Sequence, residues 1–437
     1  MSVIRKELVY AALNRAYALI DPNIHDDIYK EYEFQEKTIL ADKSLTKDEK
    51  KEAIIMLNRD YDRNKILFNS GTKRICENCN QECLATLYCE HCIRNYLKAK
   101  FSNWTSENNV IDNLIQKCQM ETLGPDKISE WIPYNNFKDI RYLTKGGWSE
   151  IHTADWIGGK YCEWDSKKKE LKRNGEQNVV LKRLETICNR SLFNEVKAHL
   201  TLSNKYDFIS PCFGLTRDPS NGSYMLVMNK LDMNLREYLQ QNYNNLTWQG
   251  KVQIILNIIM GLKNIHKENL IHRDLHSGNI LFYQYTNSWY ISDFGFCGTA
   301  DKSLNSIYGN LSYIAPEVIV GKGYTFASDI YSIAMLMWEI SSGEPPFANY
   351  KNDYENDYEF VMYVVDGMRP KIISETPLKY KELMERCWDA NPIERPDIDT
   401  LLDEISEMNK LYQNTLDDNK TEEQEGINLQ FLIFINF

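Results

Sequence analysis

Between His272 and Glu317 the chain reads His272-Arg273-Asp274-Leu275-His276-Ser277-Gly278-Asn279, then Asp293-Phe294-Gly295, then Ala315-Pro316-Glu317. Any one of these short motifs turns up by chance in an ordinary loop, whereas three in this order restrict the chain to very few folds. Upstream, Val179-Val180-Leu181-Lys182 is a strand-like run that ends in lysine, and Leu192-Phe193-Asn194-Glu195-Val196-Lys197 opens a helical stretch. Taken alone, Lys182 and Glu195 would be surface residues like most of their kind. Tyr224 to Met228 reads as another strand, and Val252 to Ile265 is apolar at helical spacing, as a buried helix requires.

Together these runs resemble the protein kinase superfamily, nearest its tyrosine-kinase-like branch, over residues 139–410. Ser328-Asp329-Ile330-Tyr331-Ser332 resembles the start of the helix whose Asp braces the catalytic loop. Cys387 to Pro396 resembles the closing motif whose Arg395 pairs with Glu317. The wording from His272 to Asn279 is similar to that of kinases expanded in certain fungi. The resemblance implies an α+β, bilobal kinase fold that moves the γ-phosphoryl group of ATP to a protein hydroxyl. In that reading Asp274 accepts the hydroxyl proton, and Asn279 and Asp293 hold Mg2+. Lys182 meets the nucleotide phosphates and pairs with Glu195. Arg273 is placed to meet a phosphate on Ser303, Ser306 or Tyr308, and Ser312 is structural. Leu143, Ile151 and Val180 form an apolar ceiling for adenine, Leu281 its floor, Met228 the gatekeeper and Asn229-Lys230-Leu231 the hinge.

Several positions depart from the family pattern. Leu143 to Ile151 stands where three glycines normally let the backbone approach phosphates, and of these Gly146 remains while Thr144 and Ser149 replace the outer two. Val180 replaces a small alanine and narrows the adenine slot. Both changes predict reduced nucleotide affinity. His276 stands where serine/threonine kinases carry lysine, and Gly309-Asn310 replaces Gly-Thr. The reading favours serine/threonine transfer over tyrosine transfer, with a pseudokinase scaffold as the competing class.

Eleven cysteines in a chain of 437 residues would ordinarily be buried thiols. Cys76-x-x-Cys79 and Cys89-x-x-Cys92, however, have the paired layout of a tetrahedral Zn2+ site, with Cys83 and His91 as competing ligands. The short gap between the pairs predicts a small zinc-ribbon-like module or knuckle. A redox pair would need a βαβ setting that is not seen, and unligated thiols are the remaining alternative.

Residues 1–70 read as a helical region, 71–102 as the cysteine module, 103–138 as a linker or helix, 139–410 as the kinase domain and 411–437 as a tail. Thr46 to Glu49 is a capping box ahead of an apolar stripe. A net charge of −11 and a pI near 5.3 argue against a nucleic-acid or membrane-surface role for the whole molecule. Arg94, Lys98 and Lys100 with Tyr96 and Phe101 make a short basic-aromatic patch, read chiefly as a solvated helix face. No apolar run approaches the ~20 residues of a membrane span, so a cytoplasmic enzyme with protein substrates is expected. Between Trp156 and Val179 the chain inserts 22 residues that include Lys167-Lys168-Lys169, read as a β-hairpin with a basic tip.

Overall fold

The computed structural model describes residues 4–21, 24–145, 149–184, 189–299, 309–348 and 357–418. It begins with α1 (Lys6–Ala18), α2 (Ile28–Ala41) and α3 (Lys47–Phe68). Val9, Ala12 and Ala16 recur at helical spacing and are buried with Ile39, Ala53 and Leu57, so three amphipathic helices close one small core. Thr46 caps α3 reciprocally. The Glu49 amide donates to Thr46 Oγ1 at 3.3 Å, and the Thr46 amide to the Glu49 carboxylate at 2.8 Å.

A short hairpin, β1 (Arg74–Ile75) and β2 (Glu82–Cys83), leads to α4 (Glu90–Lys98), α5 (Asn109–Met120) and β3 (Glu130–Trp131). The upper lobe then adds β4 (Phe137–Lys145), β5 (Glu150–Trp156), the inserted hairpin β6 (Tyr161–Asp165) and β7 (Glu170–Arg173), β8 (Gln177–Arg183), α6 (Asn189–Lys205), β9 (Cys212–Arg217) and β10 (Tyr224–Asn229). The insertion thus forms the hairpin read from the sequence, with Lys167, Lys168 and Lys169 exposed at its tip.

Six strands make one sheet in the order β3-β9-β10-β8-β5-β4. All its pairs are antiparallel except β3 with β9, which is parallel. The extra strand depends on Gly214. That residue sits at φ 142°, and a Cβ there would lie 1.8 Å from the Glu130 carbonyl oxygen.

The lower lobe comprises β11 (Met233–Asn234), α7 (Leu235–Asn242), α8 (Trp248–Lys267), β12 (Leu270–Ile271), β13 (Ile280–Tyr283), β14 (Ser288–Ile291), β15 (Gly298–Thr299), α9 (Pro316–Ile319), α10 (Phe326–Ser342), α11 (Asp357–Val365), α12 (Leu378–Cys387) and α13 (Ile398–Asp418). Helices α8 and α10 are apolar on most faces because both run through the centre of the lobe, and each buried Leu or Ile there contributes about 1.5–3 kcal/mol. The Arg395 guanidinium donates in bidentate fashion to the buried Glu317 carboxylate at 2.7 and 2.8 Å, tying α9 to the segment before α13. No helix among the described residues is long and apolar enough to cross a membrane.

Candidate active site and cysteine cluster

Alternation along β8 buries Val179 and Leu181 and turns Val180 and Lys182 to the cleft. The Lys182 ammonium donates to Glu195 of α6 and to Asp293, each at 2.8 Å. Burial opposes the charge on Lys182 and on Asp293. Their attraction outweighs it, so Lys182 is held above its ordinary range and the Asp293 carboxyl well below its own. Ile151 pairs across the sheet with Lys182, and Met228 with Val180, which puts three of the expected adenine contacts on neighbouring strands. Leu143 is half-exposed on β4, and Leu281 stands on β13 of the lower lobe. Gly146 lies outside the described residues. At the hinge the Asn229 amide is committed to the Pro211 carbonyl at 3.0 Å, so a base edge would meet the backbone beyond it, toward Leu231.

Below the cleft, Asp329 of α10 accepts from the backbone amides of His272 at 2.9 Å and Arg273 at 3.0 Å. The bond to the Arg273 amide holds a strained residue, and a second one stands in the facing motif. Arg273 and Asp293 have φ of 72° and 60°, a region costly for residues with a side chain. His272 is fully buried and bridges the two motifs, its Nδ1 accepting from the Asp274 amide at 3.3 Å while its Nε2 faces the Ser292 carbonyl at 3.1 Å. The Asn279 amide nitrogen donates to the Asp274 carbonyl at 2.9 Å and to its carboxylate at 3.1 Å, leaving the Asn279 amide oxygen for another partner. His276 lies 3.7 Å from the Asp274 carboxylate, and its Nδ1 accepts from the Gly278 amide at 3.1 Å. Neutral His276 therefore carries its proton on Nε2, the nitrogen that faces Asp274.

Arg273 donates to the Thr299 carbonyl at 2.8 Å. Ser303, Ser306 and Tyr308 lie outside the described residues. Ser312 is buried, and its amide donates to the Asn310 side chain at 3.3 Å. Gly309 sits at φ 107°, and a Cβ there would lie 2.8 Å from Asp274 Oδ1. On the sequence-based expectation that Asp274 accepts the hydroxyl proton, Gly309→Ala should displace its carboxylate and lower kcat about 100-fold with the KM for ATP little changed. Steady-state kinetics on the folded variant checks this, and an unchanged kcat would refute it.

Sequence reasoning passed over His199. Four residues after Glu195 on α6, it shares the face of the helix that meets the site. It is fully buried, its ring is 4.7 Å from that of Phe294, and neither ring nitrogen has a hydrogen-bond partner among the described residues. Burial, then the Lys182 ammonium and His272, pull its pKa down to about 3, against the pull of Asp293. An unfolded histidine titrates near 6.5. The unfolded chain thus binds a proton that the folded chain refuses between those two values, and stability falls as the pH drops from about 6.5 toward 3, by up to ~1.4 kcal/mol per pH unit. His199→Leu should flatten that slope and stabilise the fold by about 1–3 kcal/mol, by removing two unpaired buried nitrogens. Denaturant unfolding between pH 4.5 and 7 would show the change, and an unaltered slope would count against it.

The four paired cysteines converge. The sulfurs of Cys76, Cys79, Cys89 and Cys92 all lie within 4.8 Å of one another, with Cys76 to Cys92 and Cys79 to Cys89 at 3.7 Å. Zinc–sulfur bonds of about 2.3 Å imply tetrahedron edges of about 3.8 Å, which these spacings match. Burial and neighbouring sulfurs push the Cys92 thiol up, whereas at Cys76 burial is outweighed by backbone amides and neighbouring thiols that pull it down, so the cluster does not act as one on its thiols. Cys76 and Cys79 belong to the turn after β1, where the Cys76 amide donates to the Gln81 carbonyl at 2.9 Å. Cys89 and Cys92 sit at the start of α4. The frame of the cluster is the β1–β2 hairpin plus the start of α4. His91, a competing ligand by spacing, turns instead to the Glu82 carbonyl at 2.9 Å. Cys83 is buried beside Cys89 and Glu90.

Residues 138–405 match the family model described as protein tyrosine and serine/threonine kinase. That match covers more than half of the chain, which belongs to the protein kinase family. Among curated proteins, it is similar to the serine/threonine-protein kinase STY17 of Arabidopsis thaliana, 26% identical over 334 residues that cover 75% of this chain and 54% of that protein. It is also similar to the dual specificity protein kinase zak2 of Dictyostelium discoideum, 29% identical over 310 residues, 64% of this chain and 46% of that protein. The chain spans about half the length of these relatives.

Proposed function

We propose that this chain transfers the γ-phosphoryl group of ATP to a protein hydroxyl, on serine or threonine in preference to tyrosine. The observation that carries the reading is the Lys182 ammonium held at 2.8 Å from both Glu195 and Asp293, with Asp274 presented from the loop below. A scaffold would not need this charge arrangement assembled against the cost of burial. Lys182 would anchor the nucleotide phosphates. Asp274 would orient the acceptor hydroxyl and take its proton, while Asn279 holds the Asp274 carboxylate in place. Magnesium, when bound, neutralises phosphate charge, and the oxygens of Asp293 and Asn279 are the hard ligands it prefers. The names of the curated relatives, serine/threonine and dual specificity kinases, support the choice of acceptor.

Incubating the purified chain with γ-labelled ATP, Mg2+ and a general protein acceptor tests the proposal. Label on serine or threonine is expected. Label confined to tyrosine would overturn the acceptor preference, and no transfer would overturn the enzyme reading.

We also propose that Cys76, Cys79, Cys89 and Cys92 hold one zinc ion, supported by the match of their sulfur spacings to a tetrahedron. The ion would be structural, since all four positions are taken by protein ligands.

A further inference from the structure

Helix α6 presents two faces of unlike character. Glu195 and His199, one turn apart, meet Lys182 and Phe294. Val196 and Leu200, displaced by one residue and so about 100° round the helix, are fully buried on the adjoining face. There they share a cluster with Ile111, Leu114 and Ile115 of α5, which lies against α6 although it precedes the kinase-family match. The same stretch grips the end of α6. The Asn204 side chain donates to Ser129 Oγ at 3.0 Å, and the Gln119 side chain donates to the Ser129 carbonyl at 2.8 Å, all within the protein interior. Immediately after Ser129, β3 joins the sheet beside β9 at the place that Gly214 leaves open.

We infer that residues 109–131 are a built-in positioning element for phosphoryl transfer, in which α5 holds α6 so that Glu195 stays on Lys182. Ile115 is a positioning residue. It touches no reacting group and acts through Glu195. The side of α6 that meets α5 is buried and its end is hydrogen-bonded to Ser129, so tilting α6 would expose apolar surface and break the Asn204–Ser129 bond.

The inference rests on the phosphoryl-transfer reading, and a double-mutant cycle on the full chain separates the two. Ile115→Ala is expected to lower kcat/KM for ATP about ten-fold in the wild-type background. In a Glu195→Gln background it should lower kcat/KM less than two-fold, because the contact it supports is already gone. Equal losses in both backgrounds, or no loss in either, would overturn the inference, since a merely structural role costs both alike. Ile115→Val carries the same cycle with a smaller factor should the alanine variant fail to fold. Mg-ATP affinity is measured alongside. A wild-type chain that binds Mg-ATP and transfers nothing overturns the transfer reading, and the cycle in affinity then decides the inference in the same way. A chain that does neither overturns both.

Discussion

Asp274→Asn is expected to abolish phosphoryl transfer, with kcat falling by about 10²–10⁴-fold, while Mg-ATP binds nearly as before. The Asp274 carboxylate is held from one side by the Asn279 amide at 3.1 Å, and its backbone is fixed through His272 and Asp329. Asparagine fits that space and keeps an oxygen for Asn279, but it cannot take a proton. Asp293→Asn should damage binding and transfer together, because Asp293 is paired with Lys182 and, on the proposed reading, would also hold the magnesium ion. It removes one of the two carboxylates paired with Lys182, leaving Glu195 alone to compensate the buried ammonium. Calorimetry with Mg-ATP beside single-turnover transfer distinguishes the two variants. Wild-type turnover in Asp274→Asn would mean that the proton acceptor has been misassigned.

Removing the metal should be nearly as severe, but elsewhere. About one zinc per chain is expected to copurify, and Cys89→Ser or a strong chelator should unfold residues around 70–100. Apart from the sulfurs, this stretch contributes few buried apolar residues before α4, so the metal's binding energy, about 10–16 kcal/mol in small zinc peptides, supplies its folding energy. Ile93 and Leu97 of α4 pack with Trp164 and Leu171 of the inserted hairpin, so the hairpin should loosen with it. The lower lobe has its own core and should keep its melting transition. Elemental analysis, limited proteolysis and calorimetry read these three effects separately. A chain without zinc, or a Cys89→Ser variant as protease-resistant as wild type, would return the cysteines to ordinary buried thiols.

What could be read from the sequence was whatever chemistry demands of residues close together in the chain. Asp274 and Asn279 must share a loop, Cys89 and Cys92 a turn, and Thr46 and Glu49 a cap, so each pair declares itself by spacing. The apolar run of α8 was equally plain, because a helix buried on most sides has no polar face to blur it. Contacts across long separations left no such trace. Nothing near Ile115 announces Leu200, and nothing near Gly214 announces the carbonyl of Glu130. The residues before the family match therefore read as a bridge, although α5 and β3 are packed into the upper lobe. The setting of the second cysteine pair was likewise illegible: C-x-x-C fits a strand turn or the first turn of a helix, and only the packing of α4 decides between them.

The place of α1 also bears on how the chain is made. Its inner face closes on α2 and α3, but it also lies against α13, and its Tyr10 meets Tyr285 edge-on at 5.8 Å. A ribosome adding about 5–20 residues per second delivers α13 roughly 20–80 s after α1. During that interval the three-helix core can form while the side of α1 that faces the lower lobe waits uncovered. Docking of the first helix is then among the last events of folding, and a nascent chain halted before α13 would display that surface to chaperones.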